Sequence, residues 1–227
     1  MKKLNQILRE GVYDPGIFKA FFLAGGPGSG KTFVTRSAFS GTGLKLVNSD
    51  AAFERGLKKA NLSLKMPDEE EYFRNIVRAK SNMTTSTKLE TYFQGRLGLV
   101  IDATGRDINV INTQKRMLDQ LGYDSYMVFV NTSLDVALER NKNRPRSIPE
   151  YIVTNSWNGV QRNIGQFQRI FSPNRMLIVD NNRSEKELVS ITLNTASKFI
   201  RSQLRSTPQN LTAKQWIANE LQAKKRI

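Results

Sequence analysis

The chain of 227 residues is 39% hydrophobic and 24% charged, which is enough apolar material to bury one full domain. It holds no cysteine and no histidine, which excludes disulfides, thiolate metal sites and every mechanism with an imidazole base; a general base must be Asp, Glu, Lys or Tyr. A net charge of +15, with a pI near 10.2, attracts phosphate-rich partners such as nucleic acid or nucleotides over distances of about a Debye length.

Residues 1–17 read as a short amphipathic helix with Leu4, Ile7 and Leu8 on one face, closed by the turn residues around Pro15 and Gly16. No apolar run has signal-peptide length or the roughly 20 residues that cross a bilayer, so the expected setting is the cytoplasm, without a membrane partner. The apolar run 18–24 enters a glycine cluster and then a helical stretch from Lys31, the order of a buried parallel strand, a loop and a helix. Further strands are expected at Leu44 to Val47, Leu97 to Ile101, Tyr126 to Val130 and Met176 to Val179, with helices at Asp107 to Leu121 and Ser133 to Asn141 between them. This alternation predicts an α/β fold of the P-loop NTPase type, a parallel five-stranded sheet flanked by helices. The polar interval 57–95 holds two helical candidates, Asp68 to Lys80 and Thr84 to Gln94. Beyond about Ser190 come a helix, a break at 206–210 and a last helix ending in Lys224, Lys225 and Arg226, a basic and peripheral helical tail.

Gly25, Gly26, Pro27, Gly28, Ser29, Gly30, Lys31 and Thr32 fit the P-loop pattern. Its glycines turn successive backbone N–H groups toward a phosphate, Lys31 supplies a cation for the β- and γ-phosphates of ATP, and the Thr32 hydroxyl is a ligand for Mg2+. Asp50 ends the second strand, where an α/β sheet faces its ligand, and is a candidate base for an attacking hydroxyl; the same position suits a plain helix N-cap. Asp102 closes an apolar strand in the manner of a Walker B carboxylate, serving either the metal or the acceptor, and Thr104 and Arg106 follow as a hydroxyl and a cation for the same cleft. Between positions 140 and 175 there are seven Lys or Arg and one acidic residue, Glu150. Arg140, Arg144 and Arg146 in this stretch suit a lid that closes on a triphosphate, or else a solvated basic face. Trp157, Phe167 and Phe171 suit the core better than a base-stacking surface.

The ordered set of Gly25 to Thr32, Val47-Asn48-Ser49-Asp50, Ile101-Asp102-Ala103-Thr104-Gly105-Arg106, Leu121-Gly122-Tyr123 and Arg140 to Arg144 resembles the zeta-toxin-like and polynucleotide-kinase-like P-loop kinases over roughly residues 20 to 182. The resemblance implies an ATP-dependent kinase in which Asp50 deprotonates a hydroxyl, Asp102 to Arg106 contact the acceptor and Arg140 and Arg144 form the lid. It also implies an acceptor drawn from nucleotide sugars or nucleic-acid components, and raises an antitoxin-like protein partner without identifying one. The expected division is an N-terminal helix over 1–17, a kinase domain over 18–196 with an acceptor-side insertion at 57–95 and a lid with its following helix at 140–171, and a basic tail over 197–227. Asp102 stands where zeta toxins carry Glu, and Phe53 stands where polynucleotide kinases carry Arg, with Arg55 two residues on. The competing functions are a nucleotide-dependent ATPase or switch that binds nucleic acid through its basic surface, and a non-catalytic basic protein with a relic P-loop, against which the intact Gly25, Gly30, Lys31 and Thr32 argue.

Overall fold

A computed structural model describes residues 11–144, 147–182 and 186–225. Five strands, β1 (Lys19–Ala24), β2 (Lys45–Val47), β3 (Leu99–Asp102), β4 (Asp124–Asn131) and β5 (Met176–Asp180), form one parallel sheet in the order β2-β3-β1-β4-β5. The registers Val47↔Ile101, Leu23↔Asp102 and Ala24↔Phe129 bring the carboxyl ends of the four inner and adjoining strands to one level, the edge at which open α/β sheets hold ligands.

Every residue of β1 is buried, as a central strand covered on both faces requires. Its alternation sends Phe22 into a core with Ile101, Phe129, Phe167 and Phe171, and sends Phe21 and Leu23 into the opposite core with Val34, Val100, Val128 and Ile200. Each such side chain contributes about 1.5–3 kcal/mol by leaving water. The first core is closed by α4 (Ile108–Gln120) and α6 (Glu150–Phe171), the second by α1 (Lys31–Ala38) and α7 (Lys186–Arg205). The remaining helices are α2 (Asp50–Lys59), α3 (Glu71–Gln94), α5 (Leu134–Lys142) and α8 (Leu211–Lys224).

Three sequence expectations change. The two helices expected between 68 and 94 are the single helix α3, because the hydroxyl residues that look like a break bond back within it: Ser81, Thr84, Thr85, Thr87 and Thr91 each donate to the carbonyl four residues earlier. The C-terminal tail is packed rather than peripheral. Helix α7 runs through position 196 with Ala196 and Ile200 fully buried, and α8 seats Ala213, Trp216 and Ile217 against the first core, Trp216 edge-on to Phe18 at 5.5 Å. At its break, Lys19 Nζ donates to Asp124 Oδ2 at 3.2 Å and Ser206 Oγ at 3.3 Å, while the Gln209 N–H donates to Asp124 Oδ2 at 2.7 Å. Of the expected N-terminal helix, residues 1–10 lie outside the described residues and Gly11–Tyr13 form one turn of 3-10 helix.

Candidate active site

The loop after β1 is built for a backbone that carries no side chains. Gly28 and Gly30 have φ of 79° and 91°, and a Cβ on either would run into the Ala137 carbonyl of α5 or the Asn181 side-chain amide. The loop is held from three sides. Asn181 Nδ2 donates to the Ser29 carbonyl at 2.7 Å, the Gly25 N–H donates to the Thr104 carbonyl at 3.0 Å, and Trp157 of α6 packs on Gly26 while its Nε1 donates to the Thr132 carbonyl at 2.7 Å. Helix α1 starts from left-handed Gly30, whose carbonyl accepts the Phe33 and Val34 N–H groups at 3.0 and 3.1 Å, and its N-terminal end, Lys31 and Thr32, lies at the mouth of the loop, where a helix favours an anion.

A cleft of about 550 Å³ opens above this loop, and Lys31, Thr32, Asp50, Asp102, Thr104, Arg140 and Arg144 all line it. Lys31 Nζ donates to the Gly25 carbonyl at 2.6 Å and to Gly26 at 3.4 Å. Although the residue keeps some surface, its ammonium is tucked under the loop; burial lowers its pKa, against the opposing pull of Asp102 and Asp50, and Arg144 lowers it further. The Asp102 carboxyl is pushed the other way: burial raises its pKa, Lys31 offsets part of this, and Asp50 adds to it. Asn48 ties the Asp102 carboxylate to the start of α2, donating through Nδ2 to Asp102 Oδ2 at 2.7 Å and accepting the Asp50 backbone N–H through Oδ1 at 2.6 Å. Asp50 is the first residue of α2 and its side chain reaches into the cleft, where Arg78 of α3 pairs with it at 3.3 Å. The Arg78 guanidinium lies over the Phe53 ring at 3.4 Å.

Arg140 ends in a buried Nη1 with no hydrogen-bond partner, beside Gly30. Arg144 lines the same wall, and Arg146 lies outside the described residues. Asn141, buried and between the two arginines in sequence, bonds the backbone of Ile148: its Nδ2 donates to the Ile148 carbonyl at 2.7 Å and its Oδ1 accepts the Ile148 N–H at 3.1 Å. Arg106 departs from expectation. It lies against Gly159 of α6 and lines a neighbouring cavity of about 480 Å³ instead of the P-loop cleft, because the turn at Gly105 points its side chain away from the P-loop; Asp102 and Thr104 line both spaces. Phe167 and Phe171 are core residues, and Trp157 is a prop behind the loop.

Asn48, Arg74, Arg78, Asn141 and Asn181 belong to the site and are not singled out by the sequence pattern. Asn48 and Asn181 sit just past the ends of β2 and β5, the edge where ligands bind, which is a usable signal. Arg74 and Arg78 are four residues apart on α3 and share a face, but only packing shows which face meets the cleft.

A helix N-terminus, a lysine folded on the loop and a guanidinium N–H without a partner form a set of positive groups that fits a polyphosphate. The Thr32 hydroxyl with the Asp102 and Asp50 carboxylates supplies the oxygen donors a divalent cation prefers. Among the described residues no helix is long and apolar enough to cross a membrane.

The chain belongs to the AAA domain family, which it matches over residues 21–166, more than half its length. No curated protein matches it in sequence. Among solved structures, a candidate kinase from Chloroflexus aurantiacus superposes with a TM-score of 0.59 at 20% identity, covering 83% of this chain and 100% of that one. A chain of the AvrRxo1-ORF1:ORF2 complex with ATP gives a TM-score of 0.56 at 14% identity, covering 79% of this chain and 61% of that one. A chain of the PezAT toxin–antitoxin system of Streptococcus pneumoniae gives 0.51 at 16% identity, covering 90% and 94%. At these identities the likeness concerns the fold alone, a parallel five-stranded sheet with flanking helices of the P-loop NTPase type.

Proposed function

We propose that this member of the AAA domain family is an ATP-dependent kinase that passes the γ-phosphoryl group to an acceptor hydroxyl, with Asp50 as general base. The observation that carries the reading is the convergence on one cleft of Lys31 of the P-loop, the Asp50 and Asp102 carboxylates, and Arg140 and Arg144. An acceptor hydroxyl placed beside Asp50 gives up its proton to the carboxylate as its oxygen bonds to the γ-phosphorus, and the bond from that phosphorus to the bridging oxygen of ADP breaks. Lys31, Arg140 and Arg144 stabilise the charge on the transferring group and the leaving oxygen; the orphaned Arg140 Nη1 is a donor that gains a partner only when a phosphate oxygen arrives. Arg78, paired with Asp50 at 3.3 Å, helps to hold the carboxylate in the cleft. Thr32 and Asp102 would hold Mg2+, which neutralises phosphate charge when bound.

The acceptor class is a nucleotide sugar or a nucleic-acid component, as the resemblance of the motif set implies. The test is transfer of label from γ-labelled ATP into UDP-sugars, nucleosides and 5′-hydroxyl oligonucleotides. Label in one of these, lost in Lys31→Ala and Asp50→Asn, supports the reading. Label released only as free phosphate would sink it in favour of an ATPase or switch.

A further inference from the structure

Helix α6 buries one face whose residues recur three or four positions apart: Ser156, Gly159, Val160, Asn163 and Phe167. A side-chain amide on such a face is destabilising unless its polar atoms find partners. Asn163, 8% exposed, donates through Nδ2 to the carbonyls of both Gly105 and Arg106, each at 2.9 Å. Those carbonyls belong to the turn after β3, where Gly105 has φ of 84° and a Cβ on it would stand 3.0 Å from Ala24 Cβ. Arg106 lies close on the same helix because Gly159 has no Cβ, which would come 3.0 Å from Arg106 Cγ. The opposite side of the turn is tied to the P-loop, since the Thr104 carbonyl accepts the Gly25 N–H at 3.0 Å. The turn is therefore clamped between the phosphate-binding loop and α6. Thr104 is exposed on it and lines both the cleft and the neighbouring cavity, whereas Asn163 lines neither.

We infer that Asn163 is a positioning residue for the transfer: it acts through the turn of Thr104 to Arg106, fixing where the Thr104 hydroxyl stands relative to the P-loop and so where an acceptor meets the γ-phosphate. The inference rests on the kinase reading. Without the amide, the Gly105 and Arg106 carbonyls lose their shared donor and the turn loosens on its α6 side. A displacement of an ångström or less at a positioning group slows a transfer step by up to about a hundredfold, because the reacting atoms leave their near-attack alignment. Binding of ATP is touched far less. The P-loop keeps its other two supports, the Asn181 donation to the Ser29 carbonyl at 2.7 Å and the packing of Trp157 on Gly26.

The test uses the full chain with γ-labelled ATP and, as acceptors, UDP-sugars, nucleosides and 5′-hydroxyl oligonucleotides. Asn163→Leu removes the donor at similar volume, Asn163→Ala removes donor and volume, and Thr104→Val removes the hydroxyl through which the amide acts. The expected result for Asn163→Leu is single-turnover transfer slower by about ten- to a hundredfold, with the ATP dissociation constant within about threefold and circular dichroism unchanged. In the Thr104→Val background the same change should cost less than about twofold, because its route to the chemistry is already cut. Amide exchange followed by NMR reads the clamp without an acceptor. The Gly25 N–H should exchange about tenfold faster or more, while the Asp124 N–H, bonded to the Phe18 carbonyl at 2.8 Å at the far end of the sheet, keeps its rate. Five results would each overturn the assignment and make Asn163 a residue of stability alone: transfer within about threefold of wild type, an undiminished loss in the Thr104→Val background, ATP affinity falling in step with the rate, an unmoved Gly25 N–H, or loss of the fold in both Asn163 variants. All five leave the kinase reading standing, whereas wild-type protein that releases label only as free phosphate would overturn both.

Discussion

Asn141 is where the rate of a closing lid can be separated from the binding of ATP. It lies between Arg140 and Arg144 and bonds both backbone groups of Ile148, closing the lid loop at its base with contacts of 2.7 and 3.1 Å. In Asn141→Ala both bonds go, and the Ile148 backbone groups lose their partner at a half-buried position. At about 0.5–1.5 kcal/mol each the loss is about 1–3 kcal/mol, and at about 2–4 °C per kcal/mol for a chain of this size the melting temperature should drop by about 2–12 °C. The two arginines would no longer be held against the cleft before the transition state forms, so kcat should fall about tenfold or more while the ATP dissociation constant changes less. Differential scanning calorimetry, ATP titration and single-turnover transfer read the three quantities. A variant with wild-type kcat and a melting temperature within about 1 °C would refute the idea that this amide braces the lid.

The parallel sheet and its P-loop were legible because they depend on local pattern: an apolar run closed by glycines is buried on both faces wherever it occurs, and β1 is buried throughout. Asp102 ends β3 as its apolar run predicts, while Asp50, read from the sequence as the end of the second strand, opens α2 just beyond β2; both line the cleft. What escaped the sequence has a long-range cause. Arg78 reaches Asp50 across 28 residues because α3 packs on α2, where Gly56 lets Val77 come close, and no spacing rule encodes that approach. The missed continuity of α3 has a chemical cause, since its threonines and serines read as loop residues and instead satisfy their hydroxyls on the preceding turn. Arg106 was assigned to the P-loop cleft on proximity in sequence to Asp102, and the turn at Gly105 with φ of 84° sends it to the adjacent cavity. The docking of Trp216 on Phe18 was invisible for another reason: the two aromatics belong to opposite ends of the chain.

The other predictions concern the chemistry itself. Lys31→Ala should abolish transfer with the fold intact, because it removes a cation aimed at charge that grows on the γ-phosphoryl group; circular dichroism and a rate within threefold of wild type would together refute the assignment. Asp50→Asn should cost about 10² to 10⁴-fold in the chemical step at unchanged ATP affinity, and a parallel loss of affinity would mark it as a metal or structural residue. Arg78→Ala removes the cation 3.3 Å from that base. The pair is half exposed, so its loss should cost under about 1 kcal/mol of stability, yet single-turnover transfer should slow by more than ATP binding weakens because the carboxylate is less well held in the cleft; an unchanged transfer rate would show that Arg78 does not act through Asp50. Asp102→Asn should separate stability from activity. Burial raises the Asp102 carboxyl above its usual range, so its charge opposes folding above that raised pKa and the penalty is relieved as pH falls through it. Asparagine keeps an oxygen for Asn48 Nδ2, which donates to Asp102 at 2.7 Å, and carries no charge to desolvate. The variant should therefore be as stable as the parent or up to about 2 kcal/mol more stable at pH 8, the kind of gain that functional sites give up. That advantage should shrink toward acid pH, while transfer falls because an oxygen ligand for the metal is lost. A variant less stable at pH 8 would mean that the attraction between Lys31 and Asp102 outweighs the cost of burying the carboxylate.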